Sequence, residues 1–278
     1  MNGHQLGEML ARIGAEHFGK RLRSQMDQEA IRLGRRGLNV FLDESKVIPF
    51  VVGSALKACG VYKRATRNTI DYRLLNIETS LTKLPREFGD YRILHLSDLH
   101  LEGIVDEGRQ LGETLRSLDF DVCVITGDFR FSTHGHYGDA LKRMERLMEC
   151  LTCPQGIVGI LGNHDCIEMV PSLESMGMKI LLNEALPIER DGKRLWLVGV
   201  DDTHFYQTCD LEKALQGLPA SDPKILLAHS PEIVETAASS GVDFYVCGHS
   251  HGGQICLPGG VPIFGNIRAK RKFMGGTW

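Results

Sequence analysis

The sequence predicts a layered α/β fold preceded by a basic helical extension, and three observations predict it. Five apolar runs of four to six residues recur between positions 92 and 247, as expected of strands covered on both faces. Helix-period stretches separate those runs, which argues for strand–helix alternation in layers. A change of pattern near Tyr72 divides this alternation from a helical N-terminal part. At 278 residues, 42% hydrophobic and 24% charged, the chain can bury a sizeable core in one large domain or two small ones.

In chain order, residues 1–70 read as helical, with Leu6, Met9, Leu10, Ile13 and Phe18 at helical spacing and basic stretches at 20–23 and 32–36. Leu74, Ile77 and Leu81 begin an extended segment that ends at Pro85. The run 92–96 stops at Ser97, Asp98, Leu99 and His100; the run 121–125 stops at Thr126, Gly127 and Asp128. The run 156–161 stops at Gly162, Asn163, His164 and Asp165, the run 224–228 at His229, and the run 243–247 at Gly248, His249, Ser250 and His251. Helical stretches are expected at 107–118, 137–151, 167–176, 210–218 and 232–239, and another strand end at 198–202. In such folds the ligand site lies beyond the C-terminal ends of the strands.

Charge and composition exclude several classes. Residues 1–73 hold 13 Lys and Arg against 7 Asp and Glu, and the remainder holds 19 against 28. A basic arm on an acidic body excludes a uniformly basic nucleic-acid binder. The most apolar stretch, 47–56, is too short to span a bilayer, contains Pro49 and stops at Lys57. With no signal-peptide pattern at the start, the expected location is the cytoplasm, or peripherally the inner face of the membrane. Eight scattered cysteines read as reduced thiols, and Cys150 and Cys153 form a lone pair without the second pair of a zinc ribbon. The division expected is an extension over 1–72, acting as a cap or a membrane-docking arm, and the layered α/β domain over 73–278.

The strand ends offer Asp98, His100, Asp128, Asn163, His229, His249 and His251: carboxylate, amide and imidazole donors with no cysteine. That set suits Mn, Fe, Zn or Ni rather than a closed structural zinc cage. Seven donors exceed what one catalytic ion with an open position needs. Shared between two ions bridged by one carboxylate, they suit an in-line phosphoryl displacement. Among the other histidines, His95 inside its apolar run reads as a satisfied core residue, His134 and His136 as a solvated loop, and His204 as placed either at the rim or away from it.

Asp98-Leu99-His100, Gly127-Asp128, Gly162 through Asp165, His229, and Gly248 through His251 resemble the five ordered blocks of the calcineurin-like metallophosphoesterases, over residues 91–253. The resemblance implies a four-layer α/β/β/α sandwich holding two divalent or mixed-valence ions, with manganese favoured. One ion would take Asp98, His100, Asp128 and His251; the other Asp128, Asn163, His229 and His249, with a shared hydroxide as the nucleophile. His164 would give a proton to the leaving alkoxide, and Asp165 could hold its imidazole in the useful tautomer or serve only as a helix cap. Gly127 through Phe131 lacks the Asp-Arg pair of the family's protein phosphatases. The stretches 248–254 and 198–202 resemble a bacterial membrane-associated branch that includes enzymes cleaving UDP-2,3-diacylglucosamine in lipid A synthesis. The function expected is therefore hydrolysis of a phosphodiester or pyrophosphate, of a small-molecule or lipid-linked substrate. The alternatives are a soluble phosphodiesterase of nucleotides, cyclic ones included, and a non-catalytic metal-binding scaffold. Residues 1–72 could rest on anionic lipid. The chain stops sooner after its glycine-rich loop than this branch usually does, which puts closure of the sheet edge in question.

Overall fold

A computed structural model describes residues 1–33, 47–253, 256–257, 261–262 and 267–278. Two four-stranded sheets carry the fold. The first consists of β1 (Ile93–Leu96), β2 (Val122–Ile125), β3 (Ile157–Gly159) and β4 (Met178–Ile180), all parallel and in that order. The second consists of β5 (Glu184–Arg190), β6 (Lys193–Gly199), β7 (Lys224–Leu227) and β8 (Phe244–Val246). Its first pair is antiparallel and the other two are parallel.

Alternation is hidden inside the continuous apolar runs. Val122 and Val124 of β2 face the space between the sheets, where they join Leu195, Leu197, Ile225 and Leu227 of the second sheet. Cys123 and Ile125 point the other way, into a core shared with helices α5 (Arg109–Arg116), α6 (Gly138–Met148) and α7 (Val170–Ser175). On the far side Val198 and Leu226 meet α8 (Leu211–Leu215) and α9 (Val234–Ser239). Helices, sheet, sheet, helices make the four layers. Each strand with both faces covered can be apolar throughout.

Some elements differ from the sequence expectation. The helices are shorter than the periodic stretches, and the one expected at 167–176 begins as a 3₁₀ turn before α7. The strands β1 and β8 are sheet edges and only partly buried. The hairpin β5–β6 turns on Asp191 and Gly192, both at positive φ, as a tight two-residue connection requires.

The N-terminal part divides. In α1 (Gly3–Ile13) and α2 (Ala15–Leu33), Met9, Ile13 and Phe18 are buried in the core beneath the first sheet. Arg12 adds ion pairs of 2.9 Å to Glu174 and 2.6 Å to Glu184. By contrast α3 (Val47–Ala58) and α4 (Tyr62–Asn68) present exposed Phe50, Val51, Val61 and Tyr62. Leu74, Leu75 and Ile77 are exposed in the extended segment that follows. Most of the basic stretch 32–36 lies outside the described residues. No helix among the described residues is long and apolar enough to cross a membrane. Past the glycine-rich loop the antiparallel pair β9 (Cys256–Leu257) and β10 (Val261–Pro262) follows. Phe273 and Met274 return to buried positions, the latter's carbonyl accepting from the Ser250 hydroxyl.

Candidate metal centre

The strand ends converge on one rim because the loops leaving them turn back at once. Asp98, His100, Asp128, His249 and His251 all have positive φ between 40° and 69°. They are five of only nine such non-glycine residues among those described. Left-handed backbone in residues with a Cβ costs free energy, and it concentrates where side chains must be aimed. Two glycines let the loops close up. A Cβ on Gly162 would collide with the Asp128 carboxylate, and one on Gly248 with Ser97 and Asp98.

The seven predicted donors and His164 lie together. Asp98, His100 and His251 form one group with donor atoms within 4.8 Å of one another, and Asp128, His229 and His249 form another. Asp128 Oδ2 lies 3.3 Å from His229 Nε2, 3.7 Å from His100 Nε2 and 3.8 Å from His164 Nε2. It thus sits between the groups. His251 Nε2 is 3.5 Å from Asp98 Oδ1, and both Asp98 oxygens accept the His249 backbone N–H at 3.0–3.1 Å.

Backbone carbonyls aim the imidazoles. His229 Nδ1 donates to Thr126 O at 2.7 Å, His100 Nδ1 to Arg130 O at 2.8 Å, and His164 Nδ1 to Phe131 O at 2.5 Å. In each ring Nε2 is left for the centre, the outer-shell arrangement of metal-binding histidines. Around His229 Nε2 stand Asn163 Oδ1 at 2.9 Å, His249 Nδ1 at 3.2 Å and Asp128 Oδ2 at 3.3 Å. A single proton can serve one of these acceptors, whereas a divalent cation serves them all. The donor set therefore fits metal ions.

Electrostatics carry the same signature. Burial would lower His229, but the Asp128 carboxylate outweighs it and pushes the ring up to about 10. Burial would raise Asp128, but His229, His164 and His100 hold it well below the usual carboxylate range. Burial, then the charge on His229, pushes His249 down to about 3, so that ring is neutral with a lone pair to give.

Asp165 does something other than hold the His164 tautomer, which Phe131 O fixes instead. Its carboxylate is fully buried and accepts four backbone N–H groups: Asp128 at 2.7 Å, Gly162 at 2.8 Å, Phe129 at 2.9 Å and Arg130 at 3.4 Å. It ties the two loops that carry Asp128 and Asn163. Burial and the adjacent Asp128 carboxylate push it up to about 6, against the N–H of Gly162. The Arg130 guanidinium donates to the carbonyls of His164 and Gly135.

The remaining histidines are placed as follows. His95 on the edge strand β1 is satisfied, its Nε2 2.8 Å from Thr126 Oγ1, and burial pushes its imidazole down to about 4. His134 and His136 are exposed. His204 reaches the rim, its ring 4.8 Å from that of His249 and its Nδ1 2.7 Å from Glu232 Oε1. The thiols of Cys150 and Cys153 donate to the carbonyls of Arg146 and Gly156, and neither belongs to a metal-capable group among the described residues. Four contributors carry no local signal: Thr126, Arg130 and Phe131, which act through their carbonyls, and Arg21, which reaches the site from α2.

The family model described as calcineurin-like phosphoesterase matches residues 91–253. Over 208 residues the chain is 29% identical to an uncharacterized metallophosphoesterase, YkoQ, of Bacillus subtilis, covering 70% of this chain and 73% of that one. It is 27% identical over 257 residues to a zebrafish (Danio rerio) transmembrane protein with a metallophosphoesterase domain, covering 86% of this chain. Here the chain spans only about half of its relative, 55%. It is 25% identical over 267 residues to the UDP-2,3-diacylglucosamine pyrophosphatase LpxG of Chlamydia muridarum, with 77% and 79% covered.

Proposed function

This chain belongs to the calcineurin-like phosphoesterase family, and from that premise we propose that it is a two-metal hydrolase of a phosphodiester or pyrophosphate bond in a lipid-linked nucleotide sugar. The observation that carries the reading is the Asp128 carboxylate, set between two groups of metal donors and within 3.8 Å of His164 Nε2. Asp98, His100, Asp128 and His251 would hold one ion, and Asp128, Asn163, His229 and His249 the other. When bound, two such ions supply Lewis acidity and a nucleophile from water at neutral pH.

The protein's own residues supply the rest. With Nδ1–H donated to Phe131 O, the proton that His164 gives up must be on Nε2, so the donor is its imidazolium. The carbonyl steadies that cation and fixes its direction, so the proton is delivered to the leaving oxygen as charge develops there. Asp165 acts as a positioning residue, keeping the Asp128 and Asn163 loops in register.

The lipid-linked substrate is supported by the similarity to LpxG and by the surface of α3 and α4. There Phe50 and Val51, 74% and 56% exposed, accompany Lys57, Lys63, Arg64 and Arg67. An apolar patch beside cations suits the face of an anionic membrane, each cation contributing about 1 kcal/mol near the surface. The test is hydrolysis by metal-reconstituted protein of UDP-2,3-diacylglucosamine, cyclic nucleotides and bis-aryl phosphates, with co-sedimentation on anionic vesicles at low and high salt. Turnover of the lipid substrate with salt-sensitive vesicle binding is expected. Preference for cyclic nucleotides without vesicle binding would replace this reading with that of a soluble phosphodiesterase.

A further inference from the structure

Helix α2 lies outside the region matched by the family, yet it sends a side chain to the back of the metal centre. Arg21 is 0% exposed and stacks 3.7 Å over the Tyr206 ring. Its Nη1 donates to Asp201 Oδ1 at 2.9 Å. Its Nη2 donates to the carbonyls of Asp165 at 2.8 Å and Gly162 at 3.2 Å. Those two carbonyls bracket Asn163 and His164. Asp201 is itself held by His17 Nε2 at 2.8 Å. One helical turn further on, Gln25 accepts the Ile167 N–H at 3.0 Å and donates to Glu168 at 2.9 Å. Thus α2 grips both ends of the 162–168 segment.

We propose that Arg21 is a positioning residue for the reaction, and that the N-terminal extension completes the catalytic domain by clamping the Asn163–His164 turn from behind. A buried guanidinium is a costly way to gain stability, since well-packed apolar groups usually do as well. What it supplies is a fixed geometry: a planar fork with donors at set angles, here shared between one carboxylate, two backbone carbonyls and the Gln25 amide oxygen. On the opposite side the His164 N–H donates to Asp128 Oδ1 at 2.9 Å and its carbonyl accepts from Arg130. The turn that carries one metal donor and the proton donor is therefore held from two sides, and only one of these lies within the family-matched region. The inference rests on the hydrolase reading for its catalytic part, but the clamp itself does not.

The test uses the full chain with Arg21→Met, Arg21→Lys and the milder Gln25→Ala. Hydrogen exchange is followed over 160–168, with 122–125 of β2 as the internal control. Turnover is compared on phosphodiesters with a good (nitrophenyl) and a poor (alkyl) leaving group. Arg21→Met is expected to exchange about tenfold or more faster at 162–167 while β2 is unchanged. It should lose about 10–100-fold on the alkyl ester and far less on the nitrophenyl ester, because a misaimed acid matters most when the leaving group needs its proton. Arg21→Lys should fall between, and adding His164→Ala to Arg21→Met should cost little beyond His164→Ala alone. Uniform loss of protection across the protein, or an unchanged leaving-group ratio in variants that fold, would overturn the proposal. If Arg21→Met does not fold, Gln25→Ala decides by the same two readouts. Absence of turnover in the wild type would overturn the hydrolase reading instead, and exchange would still decide the clamp.

Discussion

Asp165→Asn separates a loop tie from a catalytic role. The carboxylate accepts N–H groups on both oxygens, from Asp128 and Gly162 on Oδ2 and from Phe129 and Arg130 on Oδ1. An amide can serve only one of these pairs. Its cheaper orientation puts the NH₂ at the Oδ1 site, where the Arg130 contact is already long at 3.4 Å. The loss is then one good charge-assisted bond, at about 1.5–3 kcal/mol, plus a buried N–H without an acceptor, at about 1–3 kcal/mol. The sum is about 2.5–6 kcal/mol, which at about 2–4 °C per kcal/mol for a domain of this size lowers Tm by about 5–20 °C. Calorimetry of the metal-free protein measures this directly. Because the tied loops carry Asp128 and Asn163, metal affinity should fall as well, and excess metal should restore part of the turnover. An Asp165→Asn protein with Tm unchanged within about 1 °C but with turnover abolished would refute the reasoning and place the carboxylate in the chemistry.

Three further outcomes are expected. His164→Ala should keep its metal content by elemental analysis yet lose about 10²–10⁴-fold in turnover on substrates with poor leaving groups; near-normal turnover there would remove it as the proton donor. Manganese at about 100 times its dissociation constant should stabilise the fold by about 2.7 kcal/mol, raising Tm by about 5–10 °C in thermal scans, and a chelator should reverse this. Burial would raise Asp201, but Arg21 and His17 hold it well below the usual carboxylate range. A carboxyl depressed on folding contributes stability that is full above its unfolded pKa of about 3.9 and is lost as pH falls below it. Urea unfolding should therefore show the advantage of wild type over Asp201→Asn shrinking from pH 5 to pH 2, and a constant difference would contradict the assignment.

What could be read from the chain divides by the range of the interaction. Strand ends were legible because β2, β3 and β7 are covered on both faces and so are unbroken apolar runs, each followed at once by polar donors. The β5–β6 hairpin is not legible in the chain's pattern although Asp191-Gly192 is a strong turn signal. Strand β5 is a sheet edge with mixed burial and carries Pro187, which an edge tolerates but which masks a strand in sequence. His95 sits in an apolar run like its neighbours, and its polar partner, Thr126, stands 31 residues away at the end of the adjacent strand. Asp165 beside His164 suggested an orienting carboxylate, whereas the ring is aimed by a carbonyl 33 residues away. Carbonyl partners leave no trace in residue type. Arg21 is the extreme case. Apart from Gln25, its partners lie 141, 144 and 180 residues further along the chain, and nothing local distinguishes it from the other cations of a basic arm.

The central claim is that Asp128 joins two metal sites, since it stands within 3.3–3.8 Å of imidazoles from both sides. Elemental analysis of reconstituted wild type and Asp128→Ala tests it most directly. About two ions per chain in the wild type, and loss of both with turnover in the variant, is the predicted result. Full occupancy in Asp128→Ala, or a wild type that saturates at one ion, would contradict it.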